Sequence, residues 1–145
     1  MQVTLWGTRG SLATPGPTVG YRIAEAEGRV VTYLPDHEPA LGNSRFPCLP
    51  RAWTSGGTLA AGADLLIHDS QYSAAEYPGH CGWGHSSLRQ TLDFGTLTEV
   101  RQLVPFHHDP GHSDTDLDRL MAEAIDETKP AYQVTPGTEG RTFEF

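Results

Sequence analysis

The richest run of reactive side chains in this sequence is Leu103-Val-Pro-Phe-His107-His108-Asp109-Pro110-Gly-His112, where an apolar stretch ends on two histidines and an aspartate. Imidazole nitrogens and carboxylate oxygens are the donors that a divalent ion of the zinc, manganese or iron class takes. A short loop beyond a rigid strand holds such donors well. A second cluster, Asp36-His37-Glu38, follows the apolar run at 30–34, and a third, His68-Asp69, follows Leu65-Leu-Ile67. Three runs short enough to be buried strands each end on His and carboxylate, which reads as one site assembled along one sheet edge.

A site of this kind needs a sheet whose strand ends line up. Residues 2–6 alternate polar and apolar and predict a strand, which runs into a Gly/Pro loop over 7–17. Residues 18–26 and 29–34 predict a hairpin turning at Glu27-Gly28. The four prolines between 35 and 54 predict a long loop there. A short helical turn is expected at 59–62, a buried strand at 64–67, and a further short helix at 73–77 closed by Pro78. Leu88, Leu92 and Phe94 give 86–94 a helical apolar face, and 100–104 predicts the next strand. Ser113 or Asp114 caps the clearest helix, 114–127, with Leu117, Leu120, Met121, Ala124 and Ile125 on one side. Strands near 132–134 and 141–145 are expected to close the chain. The fold class is α/β (α+β), a mixed sheet with helices mainly on one face.

The chain has 145 residues, which predicts a single domain over 1–145. Ten basic against eighteen acidic residues give a net charge of −8. Such a surface repels phosphate backbones, so nucleic-acid binding in bulk is not expected, although a local cationic pocket stays open. Seven histidines enrich the chain in metal-ligand and acid–base groups. Cys48 and Cys81 are too few for a disulfide framework and read as free thiols in a reducing compartment. No apolar run reaches spanning length and the N-terminus lacks a signal-peptide pattern, so a cytoplasmic protein with no membrane partner is expected.

Several segments, taken in order, carry a family resemblance: Trp6-Gly-Thr-Arg-Gly-Ser-Leu-Ala-Thr-Pro-Gly-Pro17, Val19-Gly-Tyr-Arg-Ile23, Asp36-His37-Glu38-Pro39, Gly62-Ala-Asp-Leu-Leu-Ile-His-Asp-Ser-Gln-Tyr72, Gly82-Trp-Gly-His-Ser-Ser87 and Phe106-His-His-Asp-Pro110. Together they resemble the metallo-β-lactamase-fold hydrolases, in particular the phosphodiesterase-like branch near ribonuclease Z. The resemblance implies a truncated αββα sandwich. It also implies a dinuclear zinc-type centre, with manganese or iron as other occupants, and hydrolysis of a small phosphodiester by a metal-activated hydroxide. The family's His-x-His-x-Asp-His box, which supplies most of the metal ligands, occurs nowhere in these 145 residues. The passage from Pro17 to Thr18 joins neighbourhoods that lie far apart in the family, as if across a large internal deletion.

By the same resemblance, Asp36 matches the metal-bridging aspartate and His107 the last metal-ligating histidine. Asp69 and His85 match a catalytic carboxylate–histidine pair. His37, His108 and His112 could complete a mononuclear site if their loops converge. The plainer alternatives are a metal-free pocket, and an Asp69–His85 contact that only ties a loop to the sheet. His68, one residue from Asp69, is expected to face the other side of its strand as a structural histidine, and His80 is expected to be solvent-exposed. Tyr72, Tyr77 and Trp83 either contact substrate or pack under the 79–84 loop. Gly7-Thr-Arg9-Gly reads as a plain turn or an anion-cradling loop. Asp114, Asp116 and Asp118 suit the positive end of a helix better than a calcium loop. Two functions remain open. One is a metal-dependent hydrolase. The other is a non-enzymatic remnant acting as a homodimer or interaction module through an exposed sheet face that includes Val19, Tyr21, Ile23, Val31 and Tyr33.

Overall fold

The computed structural model describes residues 2–8, 18–26, 28–43 and 46–143, the first of these as backbone only. The Gly/Pro loop, Arg9 with it, and the segment leading to the Pro17–Thr18 junction fall at 9–17, outside the described residues.

A mixed sheet runs in the order β1-β2-β3-β4-β5-β6: β1 (Gln2–Thr8), β2 (Thr18–Ala24), β3 (Val30–Leu34), β4 (Leu65–Asp69), β5 (Gln102–Phe106) and β6 (Gln133–Val134). The first three strands pair antiparallel, and β3 through β6 pair parallel. The expected hairpin forms between β2 and β3. Its turn closes through Gly28 N–H to Glu25 O at 3.0 Å, with Gly28 at φ 91°, where a side chain would be strained. Parallel pairing demands crossovers. Helix α1 (Gly57–Ala60) lies between β3 and β4, α2 (Leu88–Thr98) between β4 and β5, and α3 (Asp114–Thr128) between β5 and β6.

Strand alternation sets two faces. On one, Leu34, Leu66 and Leu103 meet Leu59 and Ala60 of α1, Leu88, Leu92 and Phe94 of α2, and Met121 and Ala124 of α3 in one buried core. The helices therefore share one face, as the sequence predicts. On the other, Tyr21, Ile23, Val31 and Tyr33 are only half-buried and Val19 is 42% exposed.

Three element expectations need correction. Residues 73–77 form no α-helix; the chain makes a turn and then a short 3-10 segment at Tyr77–Gly79, because Pro78 cannot continue a helix. Residues 141–143 are irregular and 144–145 lie outside the described residues, so no closing strand is seen there. Strand β4 continues through His68 and Asp69 instead of stopping at Ile67, since its parallel pairing runs on to Asp69↔Phe106. No helix is long and apolar enough to cross a membrane among the described residues.

Candidate metal and acid–base site

Parallel strands bring their C-terminal ends to one edge, and the reactive residues sit there. Asp69 is the last residue of β4, His107 the first beyond β5, and Asp36 the second beyond β3. His85 arrives separately, on the loop before α2. That loop is stitched to the strand edge by Tyr72 N–H to Ser86 O (3.1 Å), Leu88 N–H to Tyr72 O (2.8 Å) and Ser86 Oγ–H to His37 O (2.6 Å). Ser87 and Gln90 then form a reciprocal capping box that starts α2 immediately after the histidine.

Asp36, Asp69, His85 and His107 each offer a ligand atom, and these atoms all lie within 4.8 Å of one another. Asp69 is fully buried. Its Oδ1 accepts from Gln71 N–H (3.1 Å) and Ser86 N–H (3.2 Å), and its Oδ2 from His37 N–H (3.3 Å) and His85 Nδ1–H (2.5 Å). Nδ1 of His107 lies 3.4 Å from the same Oδ2, 3.2 Å from Asp36 Oδ1 and 3.1 Å from Pro35 O. Burial would raise the Asp69 carboxyl, but hydrogen bonds from His107 and His85 outweigh it and hold the pKa below the ordinary value. The reciprocal effect, led by the hydrogen bond to Asp69 against the cost of burial, raises the pKa of His107. His107 also takes a left-handed backbone (φ 58°), unusual for a residue with a Cβ and found where a site fixes its geometry.

Two imidazoles and two carboxylates in this space suit a divalent cation of the zinc class, and manganese and iron accept the same donors. In both histidines it is Nδ1 that faces these carboxylate oxygens.

The other candidate ligands are placed elsewhere. His37 points away from Asp36 into the core, where its Nδ1 lies 2.7 Å from Nε2 of His68 and its Nε2 3.3 Å from Ser55 Oγ. The tautomers follow. His68 Nδ1 sits 2.6 Å from the carbonyl of Asp69 and must carry the proton, so its Nε2 accepts from His37 Nδ1–H, and Ser55 donates to His37 Nε2. Burial lowers the pKa values of His37 and His68 to about 3 and about 4. His108 turns toward Ser70 Oγ (3.4 Å), and burial lowers its pKa. His112 pairs with Glu76 Oε1 at 2.9 Å. Alternation past each strand end sends neighbouring side chains to opposite sides, so His37 and His108 leave the edge that Asp36 and His107 occupy. His68 is buried on the helix side of its strand. His80 is only partly exposed, stacked on Tyr72.

One contributor had no assigned role in the sequence reading. The Glu38 carboxylate is buried. Its Oε1 accepts from Tyr77 O–H (2.5 Å), Gly82 N–H (2.8 Å) and Gly42 N–H (3.0 Å), and its Oε2 accepts from Gly84 N–H (2.9 Å). It thus fixes the glycine loop that delivers His85. The visible signal was an acidic residue directly following Asp36-His37.

The beta-lactamase superfamily domain model matches residues 1–108, a stretch that contains all four clustered side chains. The chain belongs to this superfamily. Its solved neighbours have the metallo-β-lactamase fold, and the curated proteins it is similar to are ribonucleases Z and BN. It is 32% identical over 81 residues to ribonuclease Z of Brevibacillus brevis, covering 56% of this chain and 24% of that protein. It is 28% identical over 121 residues to ribonuclease BN of Citrobacter koseri, covering 75% and 38%. Among solved structures, the metallo-beta-lactamase fold protein YhfI from Bacillus subtilis matches with a TM-score of 0.69 at 19% identity, covering 98% of this chain and 49% of that one. The short form of human tRNase Z matches with a TM-score of 0.59 at 19% identity, covering 93% and 39%. At these identities the structural likenesses carry the fold alone. The superfamily member described here spans less than half the length of each of these relatives.

Proposed function

We propose that this chain supplies part of a divalent-metal-dependent phosphodiesterase site, with Asp36 and His107 as metal ligands and Asp69–His85 as its acid–base pair. The observation that carries this reading is the convergence of Asp36, Asp69, His85 and His107 within 4.8 Å at one strand edge. Asp36 and His107 would hold a divalent cation, which would supply Lewis-acid activation of water and of a phosphoryl oxygen. Asp69 accepts Nδ1–H of His85, which fixes the tautomer and leaves Nε2 to exchange a proton with the leaving-group oxygen. Asp69 also faces His107, so one buried carboxylate orients both imidazoles. Zinc suits the mixed nitrogen and oxygen set best, with manganese and iron as alternatives. The ligands of the absent His-x-His-x-Asp-His box must come from outside these 145 residues if a second metal is held.

The substrate class is a small phosphodiester. The curated relatives are named ribonucleases, which makes an RNA phosphodiester a candidate as well. The expectation against nucleic acid rested on the charge of −8, which disfavours a long backbone-tracking interface but not one phosphodiester at the strand edge. No observation favours the non-enzymatic alternative. The shared core supports reading 1–145 as a single domain, and the free state of Cys48 and Cys81 supports a cytoplasmic location. A second copy packing on the half-buried face of Tyr21, Ile23, Val31 and Tyr33 is the homodimer this reading includes.

The test is metal content per chain in protein purified without chelator, together with hydrolysis of bis(p-nitrophenyl) phosphate. Near-stoichiometric zinc, manganese or iron is expected, falling at least about tenfold in Asp36→Asn or His107→Ala. Folded protein that stays metal-free when these ions are supplied in excess would overturn the reading.

A further inference from the structure

A row of rings leads away from the strand edge to the surface. His107 and His85 meet with centroids 5.1 Å apart, His85 meets Tyr72 at 6.2 Å, Tyr72 stacks on His80 at 4.3 Å and 17°, and His80 meets Trp83 edge-on at 4.9 Å. Tyr72 is buried, whereas Trp83 is 56% exposed. Only Gly84 separates Trp83 from His85, so their Cα atoms are at most about 7 Å apart.

A lone exposed tryptophan would need no explanation. This one sits on a tightly fixed backbone. Its neighbours Gly82 and Gly84 both donate to the buried Glu38 carboxylate, and its own N–H donates to His80 O at 3.0 Å. The His80 ring is fixed in turn by Nδ1–H to Glu76 O at 2.9 Å, while Glu76 is held by Ser73 N–H (2.8 Å) and His112 Nε2 (2.9 Å). A large flat side chain on a backbone clamped on both sides, edge-on to His80 and continuous through it with the histidines of the site, is a preorganised stacking surface.

We infer that Trp83, backed by His80 and Tyr72, is a subsite for the heteroaromatic base of a nucleoside phosphate whose phosphate lies at the strand edge. The assignment rests on the phosphodiesterase reading for the phosphate and on the rings alone for the base. Stacking needs no positive charge, so it gives an acidic protein a means of holding a nucleotide that does not depend on a basic groove. It also separates the three aromatic residues near the site: Tyr77 is buried against Glu38 and packs, Tyr72 supports the stack, and Trp83 faces the ligand.

Isothermal titration of the metal-supplemented chain with adenosine 5′-monophosphate and with ribose 5-phosphate isolates the base, since both carry the same phosphate. Adenosine monophosphate is expected to bind roughly tenfold tighter or more. Trp83→Ala should reduce it to the ribose phosphate level with metal content unchanged, and Trp83→Phe should keep most of the preference. Equal binding of the two ligands, or an unaltered preference in Trp83→Ala, overturns the subsite. A Trp83-dependent preference in protein that hydrolyses no phosphodiester keeps the subsite and removes the hydrolase reading. Hydrolysis without the preference does the reverse. An oligoadenylate bound more tightly than the mononucleotide, with the same Trp83 dependence, assigns the base to an RNA chain. Equal binding of the two assigns it to a free nucleotide, and both outcomes support the subsite.

Discussion

Histidines of opposite character sit on the two sides of the Asp36 and Asp69 strand ends. His37 and His68 lie behind them, buried and neutral, with pKa values of about 3 and about 4 against an ordinary 6.5. Because folding depresses these values, their contribution to stability is complete above about pH 6.5 and is lost as pH falls toward the folded values. Asp69, also depressed, adds a loss in the same direction at lower pH. His107 runs oppositely: its raised pKa stabilises the fold below about 6.5, and that share fades as pH climbs past the folded value. With two depressed histidines against one raised, urea unfolding should show stability falling by several kcal/mol between pH 7 and pH 4. His68→Gln should flatten that dependence. An acid profile identical in the variant would show that the buried pair does not govern it.

At the scale of elements, the site depends on parallel strands that end together and on a loop with no regular structure of its own. Strands β3, β4 and β5 align Asp36, Asp69 and His107 through their ladder, but His85 and Trp83 depend on the segment between Tyr77 and α2. The Glu38 carboxylate is the anchor of that segment. Glu38→Gln puts an amide donor against a backbone N–H that the carboxylate now accepts, at a cost of about 1–3 kcal/mol. Amide exchange at Gly82 and Gly84 should speed up by an order of magnitude or more while the α2 and β4 amides stay protected. Protection lost uniformly would mean that Glu38 supports the whole fold and not this loop.

For the molecule as a whole, the helices cover one face of the sheet and leave the other half-buried. Tyr21 stacks with Tyr33 at 6.1 Å and Tyr33 tilts against Phe106 at 5.4 Å, a contiguous apolar surface beside the strand edge. A twofold partner would cover it and bring a second strand edge nearby. Sedimentation should find a dimer at micromolar concentration, reduced to monomer by Ile23→Glu, whose charge cannot be buried at the interface without a partner. A monomer at all concentrations would refute the dimer and leave the metal assignment untouched.

Local chemistry determined much of this protein in advance. The alternation of β2 and β3, the apolar face of α3 and the His/carboxylate endings of three apolar runs follow from side-chain period and type, which need no tertiary context. That His85 joins the Asp36, Asp69 and His107 strand ends was readable only through family resemblance, because no sequence spacing links the 85 loop to them. Tertiary structure decided the division within each adjacent pair. Asp36 and His107 face the shared edge, while His37 enters the core to meet His68, and His108 turns to Ser70. Adjacent residues past a strand end have the same composition signal but opposite faces, and only the packed sheet assigns those faces to core or site. The long-range clamp of Glu38 on Gly82 and Gly84 was hidden for a related reason: backbone N–H groups carry no sequence signature, so their carboxylate partner is identified only once the chain has folded.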